Sequence, residues 1–168
     1  MKKIGLFYGG ATTKTAVVAF KIQEIFGENQ VELIPVENAN GKTFETYDHI
    51  IAGVSTWFDG ELPTYWDEVI PEIESVNLSG KKVAIFGLGD QKHYPDNFVD
   101  GIGILADSFI NSGATLIGFT SSKDYRFNNS RAIKDGQFLG LVLDIENQSD
   151  MTEERVQKWV EQLKKEFK

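Results

Sequence analysis

The chain has 168 residues, 41% hydrophobic and 12% aromatic, which excludes general disorder and predicts one domain over residues 1–168. Its 25 acidic residues outnumber 17 basic ones, and the net charge of −8 argues against nucleic acid and anionic lipid as partners. The absence of cysteine excludes disulfides, thiolate catalysis, iron–sulfur clusters and cysteine-ligated zinc, and we expect no metal site. No apolar stretch could span a membrane and the first residues lack a signal-peptide core, so we expect a cytoplasmic protein without a membrane partner.

Strands and helices alternate along the chain. We predict strands at residues 3–8, 31–36, 49–54, 81–86, 115–119 and 139–143, and helices at residues 14–26, 62–73, 99–112 and 152–167. Short strands separated by helices predict parallel strands with right-handed crossovers, and hence a doubly wound α/β sheet. Pro35, near the end of the second strand, is typical of a sheet edge, where a missing N–H costs little.

Two polar segments interrupt this alternation. Residues 40–47 could hold a short helix or only a loop. Residues 120–137 form a longer polar stretch between the fifth and sixth predicted strands. A connection of that length in a compact domain is usually functional or has structure of its own.

Three loops follow the first, third and fourth predicted strands, and in an α/β sheet ligands bind where such loops leave the strands. The first loop is rich in glycine and hydroxyls: Gly9, Gly10, Ala11, Thr12, Thr13, Lys14 and Thr15. Glycines allow close approach, and amides at a helix start bind phosphate. An ordinary threonine-capped turn would give the same pattern. Neither the nucleoside-triphosphate loop motif nor the dinucleotide-binding glycine motif is present.

The second and third loops each carry an aromatic side chain suited to stacking on a planar, flavin-like ring. The second loop comprises Ser55, Thr56, Trp57, Phe58, Asp59 and Gly60, and the third, residues 87–94, includes Leu88, Gly89, Asp90 and Tyr94. A single tryptophan after a strand is more often a packing residue, but Trp57 and Tyr94 in loops of successive strands favour a ring site. Asp90 could accept a hydrogen bond from a ring N–H, or could be a turn residue. These residues indicate a ligand with a phosphate at one end and a ring at the other.

With these residues in place, the chain resembles the flavodoxins, specifically their long-chain group, over essentially all 168 residues. The resemblance rests on the first strand Ile4-Gly5-Leu6-Phe7-Tyr8-Gly9, on Thr56-Trp57-x-x-Gly60-Glu61-Leu62, and on Phe86-Gly87-Leu88-Gly89-Asp90-Gln91 followed by Tyr94 and Asp96-Asn97-Phe98. The stretch from Tyr125 to Asp144 is similar to the insertion that splits the fifth strand in long-chain members.

The resemblance implies a three-layer sandwich with a five-stranded parallel sheet in the order 2-1-3-4-5, helices on both faces and a long insertion splitting strand 5. It implies non-covalent FMN and one-electron transfer by a carrier that is not an enzyme. By this resemblance, Trp57 and Tyr94 flank the flavin ring, Asp90 and the amide of Val99 or Gly89 lie at its pyrimidine edge, and Asn97 is a further cofactor-binding residue. The peptide between Phe58 and Asp59 would turn its carbonyl toward flavin N5 on one-electron reduction, and Thr12, Lys14 and Thr15 would hold the phosphate.

The implied partners are an NADPH-dependent reductase and enzymes that also accept electrons from ferredoxin. We expect basic docking patches on these proteins, and a monomeric carrier. The acids expected beside the flavin edge, which would steer such partners, are Asp59, Glu61, Asp67, Glu68, Glu72 and Glu74. A second set, Asp59, Glu61, Asp90, Asp96 and Asp100, would repel the charge added by the second electron and make the carrier a low-potential one.

Several positions depart from the family pattern. Gly10 stands where the first loop usually has a hydroxyl and Thr13 where it has glycine, and Thr13 could adopt a positive φ only with strain. Loss of one charge-assisted hydrogen bond predicts FMN binding weaker by roughly ten- to a hundredfold. Phe58, Asp59 and His93 also replace the commoner residues around the flavin.

Two other readings remain open from the sequence. One is an FMN-dependent two-electron quinone or NAD(P)H oxidoreductase, which would need space for a second ring over the flavin. The other is a non-flavin binding protein with a decayed phosphate loop, suggested by Gly10 and Thr13.

Overall fold

A parallel sheet forms the centre of the protein. The structure is a computed structural model that describes residues 4–10 and 13–168. Its parallel strands are β1 (Ile4–Tyr8), β2 (Val31–Pro35), β3 (His49–Ser55), β4 (Lys82–Leu88) and β5 (Thr115–Ile117), in the order β2-β1-β3-β4-β5. This order confirms the predicted topology, and β2, which ends at Pro35, lies at the edge.

The fifth strand is split by an insertion, as predicted. The insertion contains β6 (Thr120–Ser121), β7 (Ile133–Lys134) and β8 (Gln137–Phe138), which form a small antiparallel sheet. After it, β9 (Leu141–Leu143) pairs with the second half of β4, whose first half pairs with β5. The polar stretch therefore has structure of its own. Asp135 and Gly136, both with positive φ, form the tight turn between β7 and β8.

Helices cover both faces of the sheet. They are α1 (Lys14–Phe26), α2 (Gly41–Thr46), α3 (Thr64–Asp67), α4 (Ile70–Glu74), α5 (Asp100–Asn111), α6 (Ile145–Gln148) and α7 (Thr152–Glu166), with 3₁₀ turns at Val36–Asn38 and Ser149–Met151. The ambiguous residues 40–47 hold α2, which begins with a capping box between Asn40 and Thr43. The single helix predicted over residues 62–73 is wrong, because α3 and α4 are separate. Pro71 in the first turn of α4 cannot donate the hydrogen bond that a continuous helix needs.

The core has two layers because successive strand residues point to opposite faces. In β4, Val83 and Ile85 belong to the cluster beneath α2, α4 and α5, whereas Ala84 and Phe86 belong to the cluster beneath α1 and α7. The period-2 alternation thus buries both faces, which is why the strands read as nearly continuous apolar runs. In α7, the predicted apolar positions Val156, Trp159, Val160 and Leu163 are all buried.

The register of the sheet positions the loops. Tyr8 of β1 lies beside Gly53 of β3, and Ser55 lies beside Leu88 of β4. The first, second and third loops therefore leave neighbouring strands at one edge. The chain order reverses between β1 and β3, which makes this edge the expected ligand site of a doubly wound sheet. Among residues 4–10 and 13–168, no helix has the length and apolarity to cross a bilayer.

Replacing Trp159 with phenylalanine tests how α7 holds the split strand. The Trp159 ring is 1% exposed, packs edge-on against Phe86 at 6.2 Å, and its Nε1 donates to the Gly118 carbonyl at 2.8 Å. Trp159→Phe leaves that carbonyl without its donor and should lower the free energy of unfolding by about 1–3 kcal/mol. Urea unfolding followed by circular dichroism measures the loss. The control Ile110→Val, at a surface position of α5, should change it by less than about 0.5 kcal/mol, and equal effects would contradict the assignment.

Candidate functional site

The three loops converge on one cleft of about 330 Å³ at the carboxyl edge of the sheet, called here the carboxyl-edge cleft. Its lining comprises Thr13, Lys14, Thr15, Ser55, Thr56, Leu88, Gly89, Asp90, Tyr94, Ile145 and Glu146. Apart from Ile145 and Glu146, these are residues that the sequence predicted for the site. Gly9 and Gly10 follow β1, the residues from Trp57 to Gly60 form the tip of the second loop, and Asn97 and Val99 precede α5. Ala11 and Thr12 lie outside the described residues.

The first loop enters α1 through Thr13. This residue is the N-cap, with φ −90° and ψ 166°, and its Oγ1 accepts from the Ala16 amide at 3.3 Å and donates to the Gly10 carbonyl at 2.6 Å. The strain that a positive φ would impose on Thr13 is therefore not present. Gly10 is the residue with the left-handed conformation, at φ +69°. A Cβ at Gly10 would lie 2.5 Å from Cγ2 of Thr13, so the two departures from the family pattern fit each other.

Lys14 extends from the start of α1 across the cleft. Its Nζ pairs with Oε1 of Glu146 on α6. Thr15, the next residue, is buried. The pair holds the only basic side chain of the first loop beside the other cleft residues, and Glu146 was not among the predicted site residues.

The second loop is a tight hairpin. Trp57 and Glu61 exchange two backbone hydrogen bonds of 2.8 Å, leaving Phe58, Asp59 and Gly60 as the turn. The base of the loop is fixed to α5, because the Gly101 amide donates to Thr56 Oγ1 at 2.9 Å. Gly60 has φ +89°, and a Cβ there would lie 2.6 Å from the buried carboxylate of Asp100.

An aromatic side chain that the sequence did not predict supports Trp57. Tyr65 of α3 lies edge-on to the indole with ring centroids 5.7 Å apart. Trp57 is 37% exposed and Tyr94, on the opposite loop, is 51% exposed. Both predicted ring-stacking residues thus present aromatic surface at this edge. Tyr65 lies in the helix predicted directly after the second loop, and this position was the sequence signal that could have identified it.

Backbone strain is concentrated at the same edge. Three non-glycine residues of the described chain have positive φ, and two of them are Phe58 at +47° and Val99 at +48°. For a bulky or β-branched residue such a conformation costs about 1–3 kcal/mol, and it persists where the surroundings require it, often at binding sites. The third, Asp135, is an ordinary turn residue.

In the third loop, the Asp90 carboxylate organises the loop itself. Oδ1 accepts from the amides of Lys92 and His93, each at 3.1 Å, and from Asn147 Nδ2 at 2.8 Å, while Oδ2 lies 2.7 Å from His93 Nδ1. Partial burial raises the pKa of Asp90, but the hydrogen bonds from Asn147 and His93 outweigh it and bring the pKa to about 2. Asp90 is therefore ionised at neutral pH. These contacts match the second of the two roles predicted for Asp90, that of a turn residue. His93 is exposed, as expected.

A buried carboxylate anchors this loop from below. Asp144, at the end of β9, is 0% exposed. Its Oδ2 accepts from the Gln91 amide at 3.1 Å and from Gln91 Nε2 at 2.6 Å, and its Oδ1 accepts from the Asn147 amide at 3.1 Å. Gln91 Oε1 in turn accepts from the Arg126 amide of the insertion at 2.7 Å. The sequence signal that could have identified Asp144 was an acidic residue directly after a buried strand.

The remaining loop contacts set the approach to α5. The Tyr94 amide donates to the Asp90 carbonyl at 2.9 Å. Asn97 Nδ2 contacts Asp100 Oδ2 at 3.5 Å, and the Arg131 amide donates to Asp100 Oδ1 at 2.8 Å. Asp100 therefore joins the segment before α5, the start of α5 and the insertion.

A larger groove, of about 1210 Å³, lies at the opposite, amino edge of the sheet. Its lining comprises Ile4, Phe26, Gln30, Asp48, His49, Ser79, Gly80, Lys81, Glu161, Lys164, Lys165, Phe167 and Lys168. No described residue of the three loops lines it. The smaller carboxyl-edge cleft is the better candidate site, because residues of all three loops that the sequence predicted to bind a ligand line it.

Comparison with known proteins gives the same family throughout. The flavodoxin family model matches residues 6–159. The chain is 45% identical to the flavodoxin of Synechococcus elongatus over 168 residues, covering 99% of each chain, and 46% identical to that of Nostoc sp. over 166 residues, covering 99% and 98%. The crystal structure of Fusobacterium nucleatum flavodoxin bound to flavin mononucleotide superposes with a TM-score of 0.94 at 33% identity, with both chains fully covered. The chain belongs to the flavodoxin family.

Proposed function

We propose that the carboxyl-edge cleft and the exposed aromatics beside it hold FMN, and that the chain carries single electrons at low potential between a reductase and acceptor enzymes. The observation that carries this proposal is the convergence of the three loops on one cleft. As a flavodoxin, the chain is an FMN-binding electron carrier and not an enzyme. Family membership thus argues against the two-electron oxidoreductase.

The residues present fit FMN in its two parts. At one end, Gly9, Gly10, Thr13, Lys14 and Thr15 offer close backbone approach, a helix start, hydroxyls and one cation, which suit a phosphate. Ala11 and Thr12 belong to the same proposed phosphate site by the family pattern, although they lie outside the described residues. Lys14 forms an ion pair with Glu146, whose side chain lines the same cleft.

At the other end, the exposed faces of Trp57 and Tyr94 suit a planar ring. Leu88, Gly89, Ser55 and Thr56 line the cleft together with Tyr94. Asn97 and the amides of Gly89 and Val99 are proposed to face the pyrimidine edge of the ring. Because its carboxylate oxygens already accept hydrogen bonds from Lys92, His93 and Asn147, Asp90 contributes chiefly loop geometry and negative charge.

When bound, FMN supplies reversible one-electron oxidation and reduction. The peptide between Phe58 and Asp59 is proposed to present its carbonyl to flavin N5. Gly60, with φ +89°, lets the turn reorient at low cost, while the Trp57–Glu61 hydrogen bonds hold its ends. The tip of the hairpin can therefore change conformation without moving the aromatic wall.

Nearby carboxylates are proposed to lower the potential of the second electron. Two like charges about 4 Å apart repel by roughly 1 kcal/mol in water and about 4 kcal/mol at an effective dielectric constant near 20. For one electron, about 1.4 kcal/mol corresponds to 59 mV. Asp59 and Glu61 are exposed, whereas Asp90 is partly buried and ionised, with a pKa of about 2. Asp96, just after the third loop, and the buried Asp100, at the start of α5, add to the same field.

Partner proteins are proposed to dock at the acids around the second loop. Asp59, Glu61, Asp67 and Glu68 are exposed, and within the described chain none of them forms an ion pair. Glu74, which the sequence placed beside the flavin edge, contacts Ser108 at 3.2 Å, eight residues along α5 from its start. That is about 12 Å from the second loop along the helix, so we leave Glu74 out of the docking surface. A single domain over residues 1–168, a monomeric state and a cytoplasmic location stay predictions of the sequence.

Stepwise reduction tests the function directly. The purified protein, loaded with FMN and freed of excess, should retain the flavin and take up electrons in two separate one-electron steps. Absorbance spectra at controlled potentials measure both steps. Retained flavin that is reduced in a single two-electron step would favour the oxidoreductase reading, and no retained flavin would favour a decayed phosphate loop.

The same titration tests the role of charge with a matched pair of variants. Asp59→Asn should raise the potential of the second step by tens of millivolts, on the order expected for one removed charge. Asp135→Asn removes the same charge at the turn of the insertion, where asparagine is also tolerated at positive φ, and should have a smaller effect. Equal shifts would contradict a local acidic effect.

A double-mutant cycle tests whether Gly10 and Thr13 act as a pair. Gly10→Ser alone places a side chain at φ +69° and 2.5 Å from Thr13 Cγ2, so it should weaken FMN binding about tenfold. Adding Thr13→Gly removes the clash and recreates the family pattern, so the double variant should bind FMN at least as tightly as the unmodified protein, measured by quenching of flavin fluorescence. Gly80→Ser is the control, because Gly80 has φ +85° with no atom within 4 Å of a Cβ. Additive effects in the cycle would refute the coupling.

Salt dependence tests the docking surface. Replacing Glu61, Asp67 and Glu68 with their amides should slow association with an NADPH-dependent flavodoxin reductase about tenfold at low ionic strength, because attraction of a basic face is lost. Stopped-flow rates at increasing salt measure this loss, which should shrink as screening increases. The control Glu24→Gln/Glu28→Gln lies toward the amino edge and should leave the rates unchanged. Rates independent of salt would contradict the proposal.

A further inference from the structure

Phe58 is the most exposed large hydrophobic side chain in the described part of the protein, at 71%. It lies at the first position of the hairpin turn between Trp57 and Glu61. The Phe58 ring lies edge-on to Trp57, with ring centroids 6.4 Å apart. Packing within the chain therefore does little to explain a phenylalanine at this position.

The backbone of Phe58 is also unfavourable. Its φ of +47° is a conformation that glycine, asparagine and aspartate adopt readily and phenylalanine does not. The residue thus combines a strained backbone with an apolar ring in solvent, and both are unfavourable in the free protein. Contact of the ring with another molecule would offset the free-energy cost of both features.

We propose that the Phe58 ring is the apolar anchor by which this flavodoxin binds its redox partner, and that the partner offers an apolar hollow rimmed by lysine and arginine. The inference rests on the proposed function and names the part of the docking surface that acts at short range. Phe58 is a positioning residue, which holds the partner against the flavin edge.

The surroundings of the ring point to a protein partner of this chemistry. Asp59 follows Phe58 in the turn, Glu61 closes the hairpin, and Asp67 and Glu68 are exposed on and just after α3. Within the described chain, none of these four acids has a basic partner within ion-pair distance. An apolar centre with a charged rim is the usual anatomy of a protein interface, and large side chains at the centre contribute most of the affinity. Acids around Phe58 therefore complement a basic rim around the hollow.

Three variants of the FMN-loaded protein separate the ring from the backbone. Phe58→Ala removes the ring, Phe58→Leu keeps apolar volume, and Phe58→Asn removes the ring but suits the positive φ. Phe119→Ala is the matched control, because Phe119 is also an exposed phenylalanine, at 38%, and lies between β5 and β6, away from the second loop. Each is assayed with an NADPH-dependent flavodoxin reductase for KM, kcat and the dissociation constant by calorimetry, and for FMN affinity and both reduction potentials.

Phe58→Ala should raise KM and the dissociation constant for the reductase by about ten- to thirtyfold, as expected for an interface anchor. The loss should persist at high salt, unlike that of the acid-to-amide variants, because an apolar contact is not screened. Phe58→Leu should recover most of the affinity. Phe58→Asn should weaken docking like Phe58→Ala while raising the stability toward urea. Phe119→Ala should match the unmodified protein.

Equal KM values for Phe58→Ala and Phe119→Ala would overturn the inference. A loss of FMN affinity or a shift in potentials large enough to account for the change in KM would also overturn it, and would assign the ring to the flavin instead. Failure of the unmodified protein to bind FMN or to accept electrons from the reductase would refute the proposed function itself. The two failures are therefore distinguishable in one set of measurements.

Discussion

The geometry of the site depends on one buried charge. A carboxylate removed from water is tolerated only when its oxygens accept hydrogen bonds, and Asp144 obtains them from Gln91 and Asn147. Those bonds fix the third loop to the end of β9. Gln91 also accepts a hydrogen bond from the Arg126 amide, which ties the same loop to the insertion. The split fifth strand therefore does more than lengthen the sheet. It supplies the anchor that holds the loop carrying Tyr94.

Around that anchor, the second loop is held firmly at its base and strained at its tip. Thr56 fixes the second loop to α5 through the Gly101 amide, yet the turn beyond Trp57 includes Phe58 with a left-handed backbone. In the first loop, Gly10 takes the left-handed conformation and leaves room for Thr13 to cap α1. The fixed base keeps Trp57 in place, and the turn beyond it is the part proposed to change its peptide orientation.

Charge connects the chemistry of the site with its recognition. The exposed acids of the second loop and α3 are proposed to act on two scales, by opposing a second electron nearby and by attracting basic partners from a distance. Salt screens the long-range effect more strongly than the short-range one, because the Debye length at physiological ionic strength is about 8 Å. An apolar ring among these acids adds a contact that screening does not weaken. The acids are thereby proposed to attract the partner from a distance, and Phe58 to bind it at contact, on the same surface.

Periodicity and turn chemistry determined much of the fold. The alternation of short apolar strands with helices predicted the parallel sheet, the limits of α1 were predicted to the residue, and the glycines and aromatics after three strands indicated the ligand edge. Tertiary structure decided the rest, since it depends on which distant groups meet. Asp90 is hydrogen-bonded by Asn147, 57 residues away, and Tyr65 came to lie against Trp57, whereas the break at Pro71 is a local signal that the helix prediction overlooked. Local sequence specifies local hydrogen bonding and burial, whereas the pairing of Asp144 with Gln91, 53 residues apart, exists only once the sheet brings β9 beside β4.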